Sequence, residues 1–284
     1  MSDRFETEVV PECETTCRTV EERFASRVSI NLPDRHNPRL HKVMELVDQD
    51  DDLYAMWLAA NVTAVERLGM TDHGPVHIKI VTNIAIRMLR LLLDAGVEPS
   101  VTTNYGMPKE DAEVVVALAA MLHDVGMSIH RAGHEEFSLF IAKGKLDEIL
   151  MQVYDRRTST IVRSEVLHAI IAHRSGGVPL TLEAGVVRVA DALDMAKGRS
   201  RIPFEAGSLS IHSISAQAIE SVRIEKGEKH PIRLRIDMTN SAGVFQLDQL
   251  FREKLKGSGI EKYIEVEGKM EGETEKRIFH EFRL

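Results

Sequence analysis

Near the middle of the chain, Ala119-Ala120-Met121-Leu122-His123-Asp124-Val125-Gly126 sets a histidine directly before an aspartate at the end of an apolar run. An ionised carboxylate held in such surroundings is costly unless it is paired or bound to a cation. Imidazole and carboxylate together are ligands that divalent transition metals accept. The dipeptide is common by chance, so its weight comes from its neighbours. Seven of the twelve histidines fall between positions 73 and 173. Apolar helices there would hold several of them out of water, which favours the neutral imidazole and leaves a lone pair for a metal. His73 and His77 are four apart and share a face if their helix begins early enough. On a helix His123 and Asp124 stand about 100° apart, so both can approach one ion while the carboxylate reaches a second. Asp191, from a separate helix, can close the coordination shell.

The elements that must position these groups read as helices. Leu40, Val43, Met44 and Val47 form one apolar stripe. Asp48-Gln49-Asp50-Asp51-Asp52 lacks the glycine of a calcium loop and has Ala59 where that loop has glutamate. Its acids are expected to cap a helix from Leu53 to about Leu68. Pro75 suits a helical first turn, and Val76, Ile80, Ile84, Met88 and Leu91 continue at helical spacing to about Leu93. A break at Ala95-Gly96 follows, and Gly106-Met107-Pro108 opens the helix that carries His123 and Asp124. Further helices are expected over Ser164–His173 and from about Leu182 to Met195, separated by the loop Arg174-Ser175-Gly176-Gly177-Val178-Pro179. Beyond residue 205 the texture changes. Ile232–Met238 alternates as a half-buried strand does, with weaker alternation at Val222/Ile224, Ile264/Val266 and Ile278/His280/Phe282. A helix from Phe245 to Leu255 sits among them and is stopped by Gly257-Ser258-Gly259. The expected fold class is mainly α: an N-terminal arm (1–38), a helical metal-binding bundle (39–204) and a small α+β domain of about four strands (205–284).

His77, His123-Asp124 and Asp191 in that order resemble the H…HD…D signature of the HD-domain metal-dependent phosphohydrolase superfamily, over roughly residues 40–200. The resemblance implies a divalent transition metal (Mn, Fe, Ni, Co or Zn) on these four residues. In two-metal members two more histidines hold a second ion; His134 and His173 fit that role, with Asp124 shared. The stretch Ile170–Gly176 followed by Arg188-Val189-Ala190-Asp191 is similar to members that cleave dinucleoside polyphosphates. The cyclic-dinucleotide class matches poorly, because Gly177-Val178-Pro179 replaces its G-Y-P element and Ala172-His173 its paired histidines. In cyclic-nucleotide phosphodiesterases of the superfamily, a histidine at the offset of His73 protonates the leaving group. The implied activity is cleavage of a phosphoester or phosphoanhydride bond by a metal-activated water, with His73 and Asp124 as catalytic groups. Lys197, Arg199 and Arg201, just past Asp191, are expected to neutralise further phosphates. Two alternatives share the ligand set: a diiron oxygenase of the same superfamily, and a catalytically silent nucleotide sensor.

Composition bounds these readings. A net charge of −8 and a pI near 5.9 argue against an extended nucleic-acid surface and leave a phosphorylated small molecule, such as a nucleotide, as the expected partner. Apolar runs such as Val114–Leu122 are too short for a bilayer core of ~30 Å, and the first residues lack a signal-peptide pattern. Two cysteines, Cys13 and Cys17, cannot staple a chain of this length, so a cytoplasmic setting is expected. The strand edges of the last domain invite pairing with a second copy or with the helical domain, and a homodimer is expected. Of the other histidines, His168 is assigned to the core and His130 to the surface or to a position behind the ligands. Asp194 is either a partner of a ligand or a charge on a solvated face.

Overall fold

The computed structural model describes residues 19–174, 176–196, 218–270 and 282–283. Cys13, Cys17, Lys197, Arg199 and Arg201 lie outside them. Helix α1 (Val20–Ala25) precedes α2 (Pro38–Asp48) and α3 (Asp51–Asn61), and α3 runs on through a π turn, Val62–Arg67. Then come α4 (Pro75–Asp94), α5 (Ser100–Tyr105), α6 (Glu110–Leu122), α7 (His134–Leu150), α8 (Arg156–Ala172) and α9 (Leu182–Leu193). Starts are set by side-chain caps: Asn37 Oδ1 accepts from the Leu40 N–H at 3.1 Å, and Asp50 Oδ1 from Leu53 at 2.8 Å. The acidic cluster before α3 thus acts as a helix cap. Asp155 and Thr181 do the same for α8 and α9.

Helix α6 is the centre. It is buried on all sides from Asp111 to Leu122, packed among α2, α4, α8 and α9. Its two buried acids are paired: Asp111 takes Arg39 and the Tyr154 hydroxyl, each at 2.7 Å, and Glu113 takes Arg90, also at 2.7 Å, and Asn37 at 3.0 Å. Burial without such partners would cost several kcal/mol.

Helix α4 departs from the expected stripe. Its fully covered apolar residues are Ile78, Val81, Ala85, Leu89 and Leu92 together with Met88, whereas Val76, Ile80, Ile84 and Leu91 are only half-buried. The reason is that α4 lies between layers: one face meets α6 and α9, another the C-terminal sheet, where Arg87 Nε donates to the Ile224 carbonyl at 2.5 Å. Apolar residues therefore occur all round, and spacing alone cannot pick the deeper face.

The C-terminal unit is a sheet in the order β1 (Ile219–Lys226), β2 (Ile232–Met238), β3 (Ile264–Met270), β4 (Phe282–Arg283). The β1–β2 and β3–β4 pairs are antiparallel and β2–β3 is parallel. Strand β2 alternates as its sequence predicts, burying Ile232, Leu234, Ile236 and Met238. A parallel pair needs a crossover. It is supplied by a helical run entering as α10 (Gly243–Phe245), continuing as a π turn (Gln246–Phe251) and leaving as α11 (Arg252–Leu255). No helix of the described residues is long and apolar enough to cross a membrane.

Candidate metal centre

Five helices and one turn meet at a point. His77 comes from the first turn of α4, His123 caps the end of α6, and Asp124 starts the turn that follows. His134 opens α7, His173 ends α8, and Asp191 lies on the last turn of α9. Nε2 of His77 is 3.2 Å from Nε2 of His123, and Oδ2 of Asp124 is 3.4 Å and 3.2 Å from these two nitrogens. Oδ1 of Asp191 stands 3.7 Å and 3.8 Å from them. The other oxygen of Asp124, Oδ1, is 3.2 Å from His134 Nε2 and 3.7 Å from His173 Nε2. Metal–ligand bonds of about 2.0–2.2 Å put neighbouring donor atoms roughly 3.0–3.5 Å apart in tetrahedral or octahedral shells. The donor set is close to that spacing and suits a divalent cation.

The tautomers are fixed from behind. In His134 Nδ1 lies within reach of both the Arg131 guanidinium (2.7 Å) and the Arg131 carbonyl (3.0 Å), whereas Nδ1–H donates to the Ala120 carbonyl in His123 (2.8 Å) and to the Ile170 carbonyl in His173 (2.6 Å). In His77 it donates to Asp194 at 2.6 Å. The rings of His77, His123 and His173 thereby present the unprotonated Nε2 to the centre. Asp194 is therefore the buried partner of His77, not a charge on a solvated face.

Electrostatics favour ionised acids at Asp124 and Asp191 and an available lone pair on His173. Burial would raise Asp124, but His123, His134 and His77 hold it well below the usual carboxylate range. Asp191 is likewise lowered against its burial, first by Lys254 and then by His123 and His173. Burial, His123 and Lys254 push His173 down to about 3, so it is neutral at pH 7. His134 is shifted the other way: burial lowers it, and Asp124 more than offsets that.

His73 lies before α4 rather than on it, because the helix starts at Pro75. Its ring nevertheless stands 5.6 Å from that of His77, centroid to centroid, with Nδ1–H donating to the Thr71 carbonyl at 2.6 Å. His130 is exposed. His168 is half-buried rather than in the core: its Nε2 accepts from the Leu180 N–H at 2.9 Å and pins the loop after α8.

Several supporting residues carry no sequence signature. Asp72 Oδ1 accepts from the N–H groups of Gly74 (3.0 Å) and His77 (3.2 Å), setting the start of α4. Ser138 donates to the His123 carbonyl at 2.7 Å and accepts from Gly126 N–H at 2.9 Å. Gly126 is required there, since a Cβ would stand 2.0 Å from the His134 carbonyl oxygen. Glu135 Oε2 is 3.0 Å from His134 Nδ1. Lys254, from the C-terminal unit, reaches the Asp191 carboxylate at 3.4 Å.

The HD domain profile matches residues 77–196, which span His77, the His123-Asp124 pair and Asp191. The chain belongs to the HD-domain superfamily of metal-dependent phosphohydrolases. It is also similar to Uncharacterized protein MJ1020 of Methanocaldococcus jannaschii, at 43% identity over 225 residues, 79% of this chain and 86% of that protein. The alignment covers most of both chains, whereas the HD match ends at Ala196.

Proposed function

We propose that the protein hydrolyses a phosphoester or phosphoanhydride bond of a nucleotide-like substrate. The observation that carries this reading is the split of Asp124, with one oxygen toward His77 and His123 and the other toward His134 and His173. That arrangement suits a carboxylate shared between two ions. His77, His123, Asp124 and Asp191 would hold the first, and Asp124, His134 and His173 the second. Bound there, divalent ions supply Lewis acidity and make a water nucleophilic near neutral pH.

The chain's own residues do the rest. Asp194 and the carbonyls of Ala120 and Ile170 keep the rings of His77, His123 and His173 in one tautomer. The helices shed water around the imidazoles, which strengthens each charge interaction inside. His73, with Nδ1–H held by Thr71, can carry a second proton only at Nε2, and it is the group we assign to protonate the departing oxygen. That proton donor beside His77 favours hydrolysis over the oxygenase chemistry the same ligands could serve.

The test is a panel of nucleotides incubated with protein loaded with Mn²⁺, Ni²⁺ or Fe²⁺. Phosphate or nucleoside-phosphate release without oxygen uptake is expected. Substrate-dependent oxygen consumption would replace this reading with the oxygenase, and tight nucleotide binding without turnover under any metal would replace it with a sensor.

A further inference from the structure

We infer that Lys254, delivered by the C-terminal unit, binds a phosphoryl oxygen of the substrate at the open side of the metal centre; this rests on the hydrolase reading. The C-terminal unit is built into the bundle. Gly185 on α9 lies so close to the turn after α11 that a Cβ would stand 2.3 Å from the Ser258 carbonyl oxygen. The buried guanidinium of Arg188 spans both parts. Its Nε donates to the Lys254 carbonyl at 2.9 Å and its Nη2 to that of Glu253 at 3.4 Å. Its Nη1 donates to the carbonyls of Ala172, Arg174 and Gly177 at 3.2, 2.7 and 2.8 Å. One cation therefore fixes the backbone of Lys254 relative to the segment that follows α8.

The Lys254 ammonium donates to the His173 carbonyl and to Asp191 Oδ2. It stands between a residue of each candidate ion site. An ammonium has three N–H donors, and the third has no partner among the described residues. Exposure points the same way. The side chains of Lys254 and Asp191 are 21% and 16% exposed, whereas those of His77 and His123 are fully covered. An anion approaching the ions from solvent meets Lys254 on that side, and a compact point cation suits a phosphoryl oxygen.

The experiment uses the full chain loaded with Mn²⁺, comparing wild type, Lys254→Met and Lys254→Arg for bound-metal content and orthophosphate affinity by calorimetry. Lys254→Met is expected to keep the wild-type metal content and bind orthophosphate about tenfold more weakly or worse, with Lys254→Arg recovering most of the loss. Unchanged phosphate affinity in Lys254→Met overturns the inference. So does a loss of metal that accounts for the loss of phosphate, because Lys254 would then only position Asp191 and His173. If metal-loaded wild type fails to bind orthophosphate, the inference falls as well, whereas the hydrolase reading stands or falls separately on the nucleotide panel.

Discussion

Asp194 shows how much of the centre depends on a residue outside the ligand set. Its carboxylate receives the Nδ1 proton of His77 at 2.6 Å inside the bundle, which orients the ring and raises its basicity. Such partners typically change metal affinity by about 10–100-fold. Asp194→Asn is therefore expected to weaken the first metal by that order while leaving the helical content intact. Metal titration with circular dichroism checks this; undiminished affinity would mean that the ring is held by other contacts. The aspartate was visible in the sequence, three residues past Asp191. Its role was not, because two aspartates on one helix end look alike until one is found facing a histidine from α4.

Between elements, the network around Glu113 joins α6 to α4 through Arg90 and to the start of α2 through Asn37. Burial alone would raise this carboxyl, but Arg90, Asn37 and His36 bring it below its ordinary value of 4.5. A carboxyl lowered on folding stabilises the protein above the unfolded value and loses that contribution as pH falls through the folded one. Glu113→Gln is expected to reduce stability at neutral pH by about 1–3 kcal/mol. The gap between variant and wild type should shrink as pH drops below about 4.5. Urea unfolding at neutral and acidic pH measures it, and a gap independent of pH would refute the network's role. Helices with one apolar stripe, α2 above all, were legible in the sequence. Helix α7 was not, because its buried face mixes His134, Ser138 and Lys145 with Ala142, Leu146 and Ile149. That face meets polar backbone and carboxylates as well as core.

Over the whole molecule, the helical bundle and the sheet unit are tied at Gly185, Arg188 and Lys254. Gly185→Ala would force its Cβ into the Ser258 carbonyl, and overpacking of this kind costs typically about 1–3 kcal/mol. Hydrogen exchange is expected to quicken in α9 and α11 together and the melting point to fall. Loss of protection in α9 alone would show that the two parts are not coupled there.

The sequence by itself determined the ordered set His77, His123-Asp124 and Asp191, the helical character of most of residues 39–196 outside α7, and the alternation of β2. These follow from local spacing and residue type, which survive without knowledge of the fold. Only the tertiary structure decided that Asp124 faces two imidazole pairs, that Asp194 holds His77, and that a lysine 63 residues from Asp191 comes to its side. Contacts across such separations are set by how helices and sheet pack, and a one-dimensional pattern does not record which faces meet.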